Sequence, residues 1–203
     1  MLAHAGADFE EKRYTTGPAP TYDRSQWLNE KFSLGLEFPN LPYMIDGDVK
    51  LTQSLTISRY LARKHGLMGK TEAEQQRVDL AEQQIQDYRM AFAMMCYRPE
   101  FEELKKPYLE DLPNKLKLLT SFIGKRQFIA GDYVTYVDFM LYEWLDQQTL
   151  LVQTALDEFP ELKAYHNRVK SLPKVAEYLA SNKNISYPIN GDMAVFGGRD
   201  SKK

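Results

Sequence analysis

Cysteine is almost absent: a single one, Cys96, stands among 203 residues. No disulfide can close within the chain, and a reducing compartment is the expected setting. Histidine is scarce as well, and His4, His65 and His166 are too scattered to give metal-ligand spacing. No glycine-rich loop of the kind that cradles phosphates occurs. No apolar run reaches the ~18 residues needed to span a bilayer. The start, "MLAHAGADFEEK", has neither the basic nor the apolar region of a secretory signal. Neither sign of charge is in excess: 26 basic residues against 28 acidic ones give a net charge of −2, with no pull toward nucleic acid or an acidic membrane. Internal repeats and low-complexity tracts are missing too. The expectation is a cytoplasmic protein with no metal, no nucleotide, no nucleic-acid partner and no membrane partner.

What is present reads as globular. Hydrophobic residues make up 43% and charged residues 27%, enough to bury a core in one large or two small domains. The first third is strand-like. "EEKRYTT" (10–16) reads as a short β-strand, and the prolines of "GPAPTYDRS" mark a loop. "LPYMIDGDVKL" places apolar residues on both sides of Asp46-Gly47, which predicts a hairpin with a type I′ turn. A helix follows from about Thr52 to Lys64 and stops at Gly66. From about Thr71 onward the pattern is helical. Val78, Ala81, Ile85, Tyr88, Phe92 and Met95 form one apolar stripe, and Leu109, Leu112, Leu116, Leu119 and Phe122 form a second. Pro113 either kinks this second helix or opens its main segment. In "TYVDFMLYEWLDQQTLL", Thr135 and Asp138 predict a capping box with aspartate in place of the usual glutamate. The layout is a small α/β piece at 1–65, a linker at 66–71 and an all-helical piece at 72–203.

Two stretches carry candidate chemistry. In "FPNLPYM" the Leu41–Pro42 bond is a candidate cis peptide that would leave the Leu41 backbone outside the sheet, free to pair with an extended peptide. Ser54 then sits where an N-cap belongs. Helix N–H groups behind it would make an anion site, to which Gln53 adds a neutral donor or acceptor. The pair suggests a short acidic peptide, although a turn proline and an ordinary cap account for the same residues. "YDRSQWLNEK" sets the cations Arg24 and Lys31 around the indole N–H of Trp27, suited to a second carboxylate. A solvated basic face beside a packed tryptophan fits those residues equally well.

Taken together, "YDRSQWLNEKF", "GLEFPNLPYMIDGDVKLTQS", "RYLARKHGL", "CYRPEFEELK", "FIAGDYVTYVDFMLYEWLD" and "MAVFG" resemble the cytosolic glutathione transferases of the mu class, in register from about Leu2 to the tail. The resemblance implies a thioredoxin-like N-terminal domain followed by an all-helical C-terminal domain. It implies a homodimer that couples the thiol of glutathione, a co-substrate, to small hydrophobic electrophiles without a cofactor. It assigns Arg24, Trp27 and Lys31 to the glycyl end of glutathione. Leu41 falls to the cysteinyl backbone, with Asn40 beside it and Pro42 cis. Gln53 and Ser54 fall to the γ-glutamyl carboxylate, with Asp87 of the partner subunit reaching the same end. Phe38 matches the aromatic key between subunits. Tyr97, Met90 and Met94 match the electrophile pocket, where the tyrosine hydroxyl acts as an acid; by spacing alone these three read as helical core.

One part of the family pattern has no match. The family carries a segment close to Gly-Tyr-Trp-Asp-Ile-Arg-Gly, on a first strand and helix, whose tyrosine hydroxyl hydrogen-bonds the glutathione sulfur. No such segment occurs among the 203 residues, and Tyr14 and Tyr22 lie in parts that match other regions of the fold. The resulting expectations are a fragment or a misplaced start, a sheet without its central strand, and a transferase of impaired activity. The alternative is a protein that binds glutathione or hydrophobic ligands without catalysis.

Overall fold

The computed structural model describes residues 1–199. Its elements run α1 (Leu2–Ala5), α2 (Ser25–Leu28), β1 (Tyr43–Asp46), β2 (Val49–Thr52), α3 (Ser54–Lys64), α4 (Glu72–Cys96), α5 (Phe101–Ile123), α6 (Tyr136–Leu151), α7 (Pro160–Lys170) and α8 (Pro173–Ala180). The fold joins a small thioredoxin-like sheet-and-helix unit to a helical bundle.

The hairpin is present, with Tyr43 opposite Thr52 and Asp46 opposite Val49. Its two turn residues are therefore Gly47 and Asp48, one step later than expected. Only Gly47 takes a positive φ, at 60°. A type I′ turn needs positive φ at both positions, so the arrangement is that of a turn with glycine first, as in type II′.

The strand expected at 10–16 does not form. Among the described residues the sheet has two strands only, and neither pairs with this segment. Strand propensity without a neighbouring ladder cannot hold a strand, because its backbone groups find no partners. Side chains and isolated bonds fix the segment instead. The Thr15 N–H donates to Gln26 Oε1 at 2.6 Å, Arg13 donates to the Lys183 carbonyl at 3.0 Å, and the Thr16 hydroxyl donates to Asp192.

The helical stripes fold as their spacing dictates. Val78, Ala81, Ile85, Tyr88, Phe92 and Met95 are all buried on α4, and Leu112, Leu116 and Leu119 are buried on α5. Those from Val78 to Tyr88 and the three leucines meet α6 and α7 around Trp144, Tyr136, Leu141, Leu145, Leu162 and Tyr165, while Phe92 and Met95 cluster with Cys96, Phe101 and Leu151. α5 begins at Phe101 and runs unbroken through Pro107 and Pro113, so Pro113 is an interior residue and opens nothing. Each proline removes one N–H from the ladder, and packing of the leucine stripe offsets the loss.

Both long helices that start after a threonine carry capping boxes. At α4, the Glu74 carboxylate accepts from the backbone N–H of Thr71 at 2.8 Å and of Lys70 at 2.9 Å, and from the Tyr133 hydroxyl at 2.9 Å. These bonds, the Thr71 N–H foremost, hold its pKa below the usual carboxylate range. Asp46 is lowered likewise by Lys64 and Tyr60. Groups whose folded pKa lies below the unfolded one stabilise the fold above the unfolded value and lose that contribution as pH falls through the folded value. Stability is therefore expected to drop on acidification below about pH 4, the ordinary carboxylate range. Glu74→Gln is expected to flatten that acid limb. Urea midpoints at pH 6 and pH 3.5 for both proteins check this; equal acid losses would refute it.

Candidate functional site

The hairpin and α3 set the central part of the site. The Leu41–Pro42 peptide is cis, and β1 begins only at Tyr43, so the Leu41 backbone lies outside the ladder. Its N–H already donates to Asn40 Oδ1 at 2.9 Å. Its carbonyl accepts no bond from the described residues, and the residue is exposed. A bound peptide group would meet a free acceptor and a donor held by a displaceable side chain.

Ser54 is not the cap of α3. Gln53 holds that position, with φ 68° and ψ 113°, and Ser54 is the first helical residue. A positive φ at a non-glycine residue is uncommon and carries strain of about 1–3 kcal/mol. Nothing in the residue type announced it, because glutamine has no preference for that region. The first ladder bond of α3 is Ile57 N–H to the Gln53 carbonyl at 3.0 Å, and no side chain caps the helix. The N–H groups of Ser54, Leu55 and Thr56 thus have no acceptor among the described residues. Unbonded donors at the positive end of an 11-residue helix attract an anion.

The other end of the site is built on α2. Trp27 is buried, stacked on the Tyr43 ring with centroids 6.0 Å apart and met by the edge of Tyr14 at 5.2 Å. No described residue accepts its indole N–H. Arg24 is exposed and has no ion pair among the described residues, and the Lys31 ammonium lies over the Phe32 ring at 5.2 Å with no ion pair among them either. Two cations and an indole donor thus lie on α2 and its flanks, within eight residues of sequence. Spacing had suggested this cluster; the Tyr14 and Tyr43 rings that hold the indole came only with the fold.

On α4, Met90, Met94 and Tyr97 are 50%, 59% and 45% exposed, so the reading of these three as helical core is wrong: they lie on the face opposite the Phe92–Met95 stripe. The Tyr97 hydroxyl accepts the Gly191 N–H at 2.7 Å, and the Val195 N–H donates to the Cys96 carbonyl at 2.8 Å. The tail therefore returns across the end of α4, a contact that sequence spacing could not disclose. Asp87, on α4, is exposed and has no ion pair among the described residues, and Phe38 projects with 73% of its surface exposed.

Cys96 is buried, and burial pushes its thiol up to about 11, which removes it as a nucleophile. Among the described residues no group of three or more His, Cys, Asp or Glu side chains is placed to hold a metal ion. No helix among them is long and apolar enough to cross a membrane. A separate cleft between α5 and α7, lined by Ile123, Arg126, Leu162 and Arg168, shares no residue with the site above.

Comparison with known proteins identifies the family. The glutathione S-transferase N-terminal domain model matches residues 1–63, and the C-terminal domain model matches residues 86–182. Glutathione S-transferase Mu 1 of Homo sapiens is 51% identical over 98% of this chain and 91% of its own length. Glutathione S-transferase Mu 2 of Mus musculus is 52% identical over 96% and 89%. Among solved structures, the glutathione S-transferase Blo t 8 superposes with a TM-score of 0.89 at 37% identity, covering 97% of this chain and 91% of the other. By fold and sequence, the chain belongs to the mu-class glutathione S-transferases.

Proposed function

We propose that this chain binds glutathione along Leu41 and conjugates it, through its thiolate sulfur, to small hydrophobic electrophiles. The observation that carries the reading is a pair of electropositive ends flanking Leu41. Arg24, Lys31 and the Trp27 N–H stand unpaired at one end, and the free N–H groups of Ser54, Leu55 and Thr56 stand at the other. A tripeptide with a carboxylate at each terminus fits that polarity. Its cysteinyl N–H would donate to the free Leu41 carbonyl, and its cysteinyl carbonyl would replace Asn40 Oδ1 at the Leu41 N–H. Gln53 would contact the γ-glutamyl group. The electrophile would lie against Met90 and Met94, with Tyr97 able to protonate or polarise a leaving oxygen.

The assembly implied is a homodimer keyed by Phe38, with Asp87 of the partner subunit completing the γ-glutamyl end. A cytosolic setting suits the single cysteine. The domain division at 1–65, 66–71 and 72–203 places glutathione on the first unit and the electrophile on the last.

Sulfur activation is the weak step for a polypeptide limited to these residues. A free thiol with pKa ~8.5 is mostly protonated near neutrality. A hydrogen bond to a charged group is worth about 1.5–3 kcal/mol. Without the tyrosine donor of the family motif the thiol pKa would sit roughly one to two units higher, at 1.36 kcal/mol per unit. The ionised fraction, and the rate with it, falls by about 10- to 100-fold.

The test is calorimetry with glutathione, followed by turnover of a nitroaryl chloride on the same preparation. The comparison is a version extended by the strand-and-tyrosine segment. Binding with turnover about 10- to 100-fold below the extended version is the expected result. Equal rates would overturn the impairment, and no heat of binding would overturn the reading itself. The absent tyrosine motif favours one second reading, a glutathione and hydrophobic-ligand binding protein. That reading predicts retention of a hydrophobic dye with no turnover.

A further inference from the structure

A polar chain runs beneath the glycyl end of the site, and its members have no place in the assignments above. The Glu30 carboxylate accepts from the Lys12 ammonium at 2.6 Å and from the Tyr14 hydroxyl. The Tyr14 and Tyr43 hydroxyls lie 3.1 Å apart. The direction of these bonds follows from proton counting. Tyr14 has one proton and gives it to the carboxylate, so its oxygen can only accept from Tyr43. The order is Tyr43 O–H to Tyr14 O–H to Glu30, with Lys12 closing the far side.

This chain of bonds joins the stretch that carries Leu41 to the glycyl subsite. Tyr43 opens β1 two residues beyond Leu41, and its ring carries the Trp27 indole. Glu30 lies next to Lys31 and one turn beyond Trp27, with its own N–H bonded to the Trp27 carbonyl at 3.2 Å. Among the described residues no strand ladder ties α2 to the hairpin. The aromatic stack and this line of three hydroxyl and carboxylate groups do so instead. Hydrogen bonding by Lys12 and Tyr14 holds Glu30 below the usual carboxylate range, so it is an ionised acceptor near neutrality.

We propose that Glu30 is a positioning residue for glutathione. Through Tyr14 and Tyr43 it fixes the span between the Leu41 backbone and the Arg24–Trp27–Lys31 cluster, and so sets the preference for a peptide carrying a terminal glycine. The inference rests on the tripeptide reading of the site. Glu30 touches no ligand in this arrangement, so its loss shifts the glycyl subsite and leaves the sulfur and the electrophile pocket where they are.

The test compares glutathione with γ-glutamylcysteine, which lacks the glycine, on the full chain. Glu30→Ala is expected to weaken glutathione binding by about 3- to 10-fold while γ-glutamylcysteine binding stays unchanged. The ratio of the two affinities should narrow, with kcat at saturating glutathione unaltered. Tyr14→Phe should narrow it similarly, and the double variant should do no worse than Glu30→Ala. Glu30→Gln keeps an acceptor for Tyr14 and should recover most of the preference. Equal weakening of both ligands, an additive double variant or an unchanged ratio would overturn the positioning role. Failure of the unsubstituted chain to bind either ligand would instead sink the tripeptide reading and take this inference with it. A urea midpoint for each variant separates lost fold from lost preference.

Discussion

Replacing Asp138 with alanine is expected to lower the stability of the fold by about 4 kcal/mol, because several buried donors are orphaned together at about 1–3 kcal/mol each. The carboxylate is fully buried at the start of α6 and accepts four hydrogen bonds. One oxygen takes the Thr135 N–H at 2.7 Å and the Thr135 hydroxyl at 2.8 Å. The other takes the Ile129 N–H at 2.8 Å and the Tyr165 hydroxyl at 2.6 Å. One side chain thus ties the loop before α6, the cap of α6 and the centre of α7. Burial pushes the carboxyl pKa upward against these four donors, which favour the charged form. Thr135→Ala removes only the hydroxyl and should lose about 1 kcal/mol, the usual value for a cap. Asp138→Asn keeps one acceptor but turns an N–H2 group toward existing donors, and should recover less than half of the loss. Chemical denaturation of the three variants checks the ranking. An Asp138→Ala loss no larger than that of Thr135→Ala would show that water or backbone shifts satisfy the freed donors.

Asp138 also marks where the sequence was informative. A threonine three residues before an acid, ahead of an apolar run, specifies a local structure through bonds between near neighbours. The box formed as read. The α4 stripe was legible for a similar reason, since burial at three- and four-residue steps needs only a helix and something apolar to face it. The site residues divide differently. Arg24, Trp27 and Lys31 could be grouped because they lie within eight residues of one another, and Leu41–Pro42 because proline restricts its own bond. Gln53 could not be read, since its positive φ is imposed by the junction of β2 with α3 and leaves no trace in residue type. The segment 10–16 failed for the opposite reason: its tyrosine and threonines favour a strand, but a strand is a property of pairs, and no partner stands beside it. The Glu30 chain and the Gly191–Tyr97 contact join residues far apart in sequence, which spacing cannot reveal.

The second large effect lies where α3, which carries Gln53 and Ser54 at its start, meets the helical bundle. Glu82 on α4 is completely buried, yet it is charged and held by Arg59 of α3. The guanidinium grips it with two bonds, Arg59 Nε to Glu82 Oε2 at 2.7 Å and Arg59 Nη2 to Glu82 Oε1. The Tyr136 hydroxyl of α6 adds a third bond at 2.6 Å, and the neighbouring Gln83 amide a fourth at 2.7 Å. The two partners are unequal. The Arg59 side chain is 42% exposed and remains partly hydrated, whereas Glu82 has no access to water. Arg59→Ala should therefore be the harsher change, at about 3 kcal/mol, since it leaves an uncompensated charge in the interior. Glu82→Ala frees an arginine that can turn to solvent and leaves chiefly one tyrosine hydroxyl unbonded, so about 1–2 kcal/mol is expected. Arg59→Lys should fall between the wild type and Arg59→Ala, because an ammonium keeps the charge but not the two-pronged geometry. In the double variant Arg59→Ala/Glu82→Ala the loss should be well below the sum of the singles, as removing the glutamate relieves the charge that removing the arginine exposes. Urea denaturation of the four proteins measures this coupling. Additive losses, or a Glu82→Ala loss larger than that of Arg59→Ala, would show that desolvation of Glu82 does not govern the junction.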